Sequence, residues 1–250
     1  IERAIGSSQT HPIIKVYPGT YYGSIRREDV VRIPTNKKLL IIAMEGPQQT
    51  AIVGSDDLFA VEMTHNVTLD GFTIRHDPTT RGGGVKTIRE SAQQSGAVIN
   101  RCVITDRAAD GIAVYAPTIV ANAMITRNAG PGIAHYRPYP QEIFHLGIYN
   151  CSLVDNHYAG SPARVDVSFA NVDIVNSIIR NNEQFPAATE GLIASQTVFS
   201  VSDSLVQLST NLHPNPQGTG QFYELDARLN SCGYATQATP PANTNAWPRL

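Results

Sequence analysis

The side chains whose types and spacing could do chemistry are acids, cations and tyrosines gathered near turns of the chain. Asp106, Asp110 and Asp155 are carboxylates, Lys86, Arg107, Arg137 and Arg164 are cations, His157 is a titratable imidazole, and Glu62, Tyr115 and Tyr136 add an acid and two phenols. Two reactions suit such a set. Hydrolysis of a glycosidic bond needs a proton donor and a second carboxylate, about 5–5.5 Å apart for retention or about 6.5–9.5 Å for inversion; Asp106 and Asp110 flank one turn and Asp155 lies further along, so either separation is within reach. Elimination in a uronate polymer needs a cation to neutralise the sugar carboxylate and a base for the C5 proton. Arg and Lys do both only where burial or neighbouring charge lowers a pKa, which is hard for Arg. Cations outnumber paired carboxylates, which favours the lyase over the hydrolase. The three aspartates could also supply three oxygens to a calcium ion, the one cofactor that the sequence brings into question.

A repeat positions these residues. An aliphatic, four intervening residues and another aliphatic recur at Leu69…Ile74, Ile99…Ile104, Val120…Ile125, Ile148…Leu153, Ile174…Ile179 and Val201…Val206. The residue two before the second aliphatic is small or apolar (Phe72, Cys102, Ala123, Cys151, Ser177, Ser204). Two short alternating strands with a tight corner between them therefore return once per repeat. Self-similarity of this kind signals a solenoid, in which one coil cannot bury its apolar face until the next stacks on it. The corner is Gly71, Arg101, Asn122, Asn150, Asn176 and Asp203, and the three consecutive Asn predict an internal ladder of stacked amides. A second register, Asp77, Arg107, Asn128, Asn156 and Asn182, falls three residues after the second aliphatic and marks another turn.

The segments after that second turn predict a third strand per coil: Phe59 to Met63, Gly84 to Ile88, Ile112 to Tyr115, Ile133 to Tyr136, about Ala163 to Val167, and Leu192 to Ser195. The match of ITDRAADGIAVY to ITRNAGPGIAHY, 21 residues apart, places Tyr136 beside Tyr115. With Ile112 and Val114 inward, Ala113 and Tyr115 face out and His135 faces in beside Val114. Two stacked outward tyrosines would make a platform for sugar rings, with Lys86 and Glu62 beside it.

Composition supports one extended domain. The 250 residues are 42% hydrophobic and 16% charged with a formal net charge of -2, and 19 Gly and 16 Pro supply turns. No basic run or positive excess points to nucleic acid, and no stretch approaches the ~18–20 apolar residues of a membrane span. Cys102 and Cys151 occupy equivalent places two coils apart, about 10 Å at roughly 4.8 Å per coil, beyond the ~7 Å limit for a disulfide; both read as buried core residues. Cys232 sits in the tail, and no close thiol pair supports a Cys/His metal site. Residues 1–210 form the solenoid domain, opened by a helical cap over Ile1 to Ser8 that would cover the first edge. Residues 211–250 form an irregular tail that packs on the last coil or runs on as a linker. Asn66-Val67-Thr68 and Asn150-Cys151-Ser152 match the glycosylation triplet; the second belongs to the expected buried ladder, so its match is accidental.

The strand closing in Pro18-Gly19-Thr20-Tyr21, then Gly71-Phe72-Thr73-Ile74, and Gly111-Ile112 and Gly132-Ile133 beside Asn corners, resembles the right-handed parallel β-helix of the pectin-lyase-like superfamily. The resemblance implies an all-β solenoid of about eight coils with three sheets, and ligands along the outer face of the sheet that carries Tyr115. It does not choose a reaction, because the superfamily includes lyases, hydrolases, epimerases, phage tailspikes and surface proteins without catalysis. A polygalacturonase is disfavoured: Asp110-Gly111-Ile112 offers one Asp where that family has a pair, Gly130-Pro131-Gly132 lacks the His, no Arg-x-Lys follows, and Gly54-Ser55-Asp56-Asp57 lies too early.

Three functions remain open: a secreted or cell-surface enzyme acting on a polysaccharide, a non-catalytic polysaccharide-binding module using Tyr115 and Tyr136, and a structural domain of a surface, tail or filament assembly. Outward apolar residues Val103, Met124, Ile178 and Leu205 would serve self-assembly or be covered by the tail.

Overall fold

In a computed structural model, the described residues are 1, 13–23, 25, 38–54, 58–64, 66–76, 82–88, 96–107, 109–136, 144–156, 165–166, 170–180, 192–193, 198–202, 204–206 and 222–223. They form three parallel sheets and no helix. Sheet A stacks Ile13–Val16, Leu39–Ala43, Val67–Asp70, Ala97–Asn100, Thr118–Ala121, Phe144–Tyr149, Ala170–Val175 and Val198–Ser202. Sheet B stacks Gly19–Tyr22, Thr50–Gly54, Thr73–His76, Val103–Arg107, Met124–Asn128, Ser152–Val154, Ile178–Arg180, Ser204–Val206 and Phe222–Tyr223. Sheet C stacks Val61–Met63, Val85–Thr87, Ile112–Val114, Ile133–His135, Val165–Asp166 and Leu192–Ile193. The chain visits A, B and C in turn, so each strand pairs with its equivalent one coil later. The expected helical cap lies outside the described residues, as does the tail apart from Phe222–Tyr223, which pairs with Ser204 and Leu205.

Like residues stack on like. Ile74, Ile104, Ile125, Leu153 and Ile179 are register partners in sheet B, and all are fully buried. Ile41, Leu69, Ile99, Val120, Ile148 and Ile174 repeat this in sheet A, and Val61, Val85, Ile112 and Ile133 in sheet C. These columns meet in one core. Each fully buried aliphatic is worth about 1.5–3 kcal/mol, which no single coil could collect alone because its inner face would be open above and below. Cys102 and Cys151 are free thiols within this core. Burial pushes the Cys102 thiol up to about 12.

The corner between sheets A and B is left-handed: φ is 85° at Gly71, 50° at Arg101, 52° at Asn122, 53° at Asn150 and 48° at Asn176. Asn tolerates this conformation better than most side chains. The amides do form a ladder, with Asn122 Nδ2 donating to Asn100 Oδ1 at 2.8 Å, Asn150 to Asn122 at 3.2 Å and Asn176 to Asn150 at 2.8 Å. It lies on the outside, however, and Asn122, Asn150 and Asn176 are exposed. A left-handed residue at a convex corner throws its side chain away from the core, so the expectation of an internal ladder here, and of a buried Asn150, is corrected.

The internal ladder is in the second register. There the turning residues are Asp106, Arg127 and Asp155, with φ of 55°, 54° and 54°, and after the last two the next residue swings inward. Asn128 and Asn156 are fully buried. Asn128 Nδ2 donates to Asn156 Oδ1 at 2.7 Å, and Asn156 Nδ2 donates to the Ile125 carbonyl at 3.0 Å. The ladder ends at Asn128, whose Oδ1 has no partner among the described residues. Gly111 and Gly132 roof this ladder. A Cβ on Gly132 would sit 2.8 Å from Asn156 Nδ2, and one on Gly111 would sit 2.6 Å from the Gly132 carbonyl oxygen.

Candidate functional site

The second turn delivers the chain into sheet C, whose outer face carries five of the eleven candidate residues in one connected row. Glu62 and Lys86 are register partners on adjacent strands, and their charged ends lie 3.7 Å apart. Lys86 Nζ also sits over two rings, 5.3 Å from the centroid of Tyr115 and 5.9 Å from that of Phe59. An ammonium over an aromatic face is attracted by the ring quadrupole, by about 0.5–1 kcal/mol at exposed sites. Tyr115 stacks on Tyr136, with ring centroids 4.9 Å apart and planes 12° from parallel. That separation matches the strand spacing, so the solenoid repeat itself sets the aromatic contact. At the far end, the Tyr136 hydroxyl donates a 2.6 Å hydrogen bond to Asp110 Oδ2.

The Tyr136–Asp110 bond fixes how the rings lie. Tyr136 follows the strand Ile133–His135, whereas Asp110 precedes the neighbouring strand Ile112–Val114; to reach it, the tyrosine must fold back across the sheet. Ala113 and Ala134 are register partners beneath that path, and both are buried although neither belongs to the core cluster. Ala113 thus lies outward, as expected, but buried: it is a small floor residue under the tyrosines. Burial raises the Tyr115 pKa above the ordinary phenol value, with the Asp110 charge adding to it. Tyr115 is therefore a protonated donor at neutral pH. His135 is buried beside its register partner Val114.

One face of Tyr115 is covered by Lys86 and the other by Tyr136, so Tyr115 offers its ring edge and hydroxyl to a ligand, while Tyr136 is 39% exposed.

The other candidates lie elsewhere. Asp106 is bound by Arg127, whose guanidinium donates at 3.0 and 3.1 Å to its two carboxylate oxygens. This fork holds the exposed second corner. Arg127 was missed, although the 21-residue match aligns it with Asp106. Arg107 contributes backbone to Val103–Arg107 in sheet B. Asp155 is exposed at the same corner one coil after Arg127, whose backbone N–H bonds the Asp155 carbonyl at 2.9 Å. Arg137, His157 and Arg164 lie outside the described residues. Among the described residues, no three His, Cys, Asp or Glu side chains converge as a metal site would require. No described helix is long and apolar enough to cross a membrane.

This architecture is a right-handed parallel β-helix. A solved pectin methylesterase from carrot superposes on it with a TM-score of 0.50 and 14% identity, over 82% of this chain and 77% of that one, a likeness of fold. No family model and no curated protein sequence matches the chain.

Proposed function

We propose that this protein binds a polysaccharide along the outer face of sheet C, outside the cell. The observation that supports this reading is the row from Glu62 through Lys86, Tyr115 and Tyr136 to Asp110. It crosses four neighbouring strands, about 14 Å at roughly 4.8 Å per strand, and every member can exchange a hydrogen bond with a sugar. The phenols and carboxylates suit hydroxyl groups. The long Lys86–Glu62 pair leaves the ammonium able to turn to a uronate carboxylate. Partly exposed charges of this kind pair weakly with one another, so a ligand exchanges them at small cost.

Cleavage is the finer reading, and a uronate-polymer lyase is its preferred form. Lys86 would neutralise the sugar carboxylate, and Arg107, Arg137, Arg164, His157 or Asp110 would have to supply the base. The test incubates the protein with pectate, alginate and chondroitin, with and without calcium across pH, following absorbance of the unsaturated product and new reducing ends. Lyase activity raises both signals and hydrolysis raises the second alone. Silence on both discards catalysis on these substrates. Binding to the same polymers, weakened about tenfold or more in a Tyr115→Ala/Tyr136→Ala variant, supports the binding reading; unchanged binding discards it.

A non-catalytic assembly domain is favoured by a separate observation. Met124 on the outer face of sheet B is 44% exposed, beside its half-buried register partner Val103. Concentration-dependent association without sugar affinity would establish that reading instead.

A further inference from the structure

The row on sheet C sets one cation between two acids: Glu62 and Asp110 stand at its ends and Lys86 lies within it. Lys86 is held by three groups, and by none of them tightly. Glu62 Oε1 is 3.7 Å from its ammonium, longer than a charge-assisted hydrogen bond of about 2.7–2.9 Å. The centroids of Tyr115 and Phe59 are 5.3 and 5.9 Å away, toward the outer limit of about 6 Å for attraction to a ring face. Phe59 is itself fixed against backbone. A Cβ built on Gly83 would lie 2.3 Å from Phe59 Cε1 and 2.5 Å from its Cδ1, so a glycine is what lets the ring lie there.

The two members of the ion pair are unequal. The Glu62 side chain is 17% exposed and that of Lys86 30%. The ammonium, on its four-carbon stem, can turn to a ligand, whereas the shorter and less exposed carboxylate stays where it is. If Lys86 turns to a sugar carboxylate, Glu62 loses this cation while remaining mostly out of water, which costs free energy. Glu62 then also stands as a like charge beside the incoming anion. A sugar hydroxyl makes neither demand: the ammonium has three donors, and one can serve the hydroxyl while the pair with Glu62 stays in place.

Resting on the reading of sheet C as a polysaccharide-binding face, we infer that Glu62 is a specificity-determining residue of that face: it competes with ligand carboxylates for Lys86. The competition turns the row toward neutral sugars, and a uronate is admitted only against it. Lys86 without Glu62 would give the opposite preference. The acid at the far end, Asp110, is engaged by the Tyr136 hydroxyl and adds a second negative charge against a densely charged polymer.

The experiment titrates the full chain by calorimetry at low ionic strength, where exposed charges are least screened. The probes are tetragalacturonate and tetramannuronate, and each of them with its carboxyl groups reduced to alcohols. The native chain should bind the neutral form of an oligomer at least as tightly as the charged form. Glu62→Gln keeps the shape and removes the charge; it should tighten binding of the charged form about threefold or more and leave the neutral form within about twofold. The gain should need Lys86, and between Lys86→Met and Glu62→Gln/Lys86→Met it should shrink below about twofold. Unchanged circular dichroism will show that each variant folds. Four results overturn the inference while leaving the binding face in place: tighter native binding of the charged form, weaker or unchanged binding of it after Glu62→Gln, an equal gain for both forms, or an undiminished gain without Lys86. Failure of the native chain and of Glu62→Gln to bind any of the four oligomers overturns the reading of sheet C, and the role of Glu62 falls with it.

Discussion

Two columns of asparagine run along this solenoid, one inside and one outside, built from the same amide-to-amide hydrogen bond. The outer one passes from Asp70 through Asn100, Asn122 and Asn150 to Asn176 at 2.8 to 3.2 Å. The inner one joins Asn128 to Asn156 at 2.7 Å. Their geometry is alike and their environment is opposite. Outside, water replaces any lost partner, and the net worth of each bond is small. Inside, each amide also donates to a carbonyl of sheet B, Ile104 or Ile125, and its burial leaves no water to take over a broken bond. The outer asparagines serve chiefly because they tolerate a left-handed backbone; the inner ones serve because they saturate a buried turn.

The sharpest way to break this comparison is Asn156→Asp. The near-isosteric change buries a carboxylate where an amide donated, and a loss of about 3–5 kcal/mol at neutral pH is expected. It should be partly recovered in acid, where the group is protonated, as chemical denaturation at pH 7 and pH 4 would show. If the loss matches that of an outer substitution, the inner ladder has no special standing.

Alkaline pH probes the inner side of the first corner. The Cys102 thiol has its pKa raised from 9.0 to about 12 in the folded chain. A raised acid pKa means that the folded state keeps its proton when the unfolded state loses it. That contribution is fully present below pH 9 and is lost as pH rises toward about 12. Comparing stability against pH for the native chain and Cys102→Ala should show a shallower decline in the variant, a difference on the order of a few kcal/mol by pH 11. Parallel curves would remove the thiol from the account.

On the outer ladder, Asn122→Ala places a side chain without a local hydrogen bond at φ 52° and should cost about 1–2 kcal/mol. Asn122→Gly restores the backbone but not the amide, so it should cost less than Asn122→Ala. The reverse order would mean that the exposed amide bonds, not the left-handed turn, hold this corner. Smallest of all, Arg127→Ala breaks the exposed fork to Asp106 and should cost under about 1 kcal/mol, an effect that shrinks further in high salt.

The same contrast explains what could be read in advance. The aliphatic columns were legible because period-two alternation and a fixed repeat leave few ways to bury Ile104, Ile125 and Leu153 together. The Tyr115–Tyr136 stack was legible from one 21-residue match, since register neighbours in a parallel sheet sit one strand spacing apart. The side of the sheath on which Asn122 and Asn128 fall was not, because both follow an aliphatic by a few residues and both suit a turn. That Gly147 makes room for the Tyr149 ring was not legible either, because a glycine shows its purpose only when the ring above it is seen.

By itself the sequence determined a stacked, parallel, all-β coil and which residues share a column, since hydrophobic period and repeat length are local properties that survive without coordinates. Only the tertiary structure decided which asparagines are buried, that Tyr136 folds back over Ala113 and Ala134 to Asp110, and that Arg127 takes Asp106 away from the candidate site. Those choices depend on the sign of φ at single corner residues and on side-chain reach between coils, quantities that no periodicity encodes.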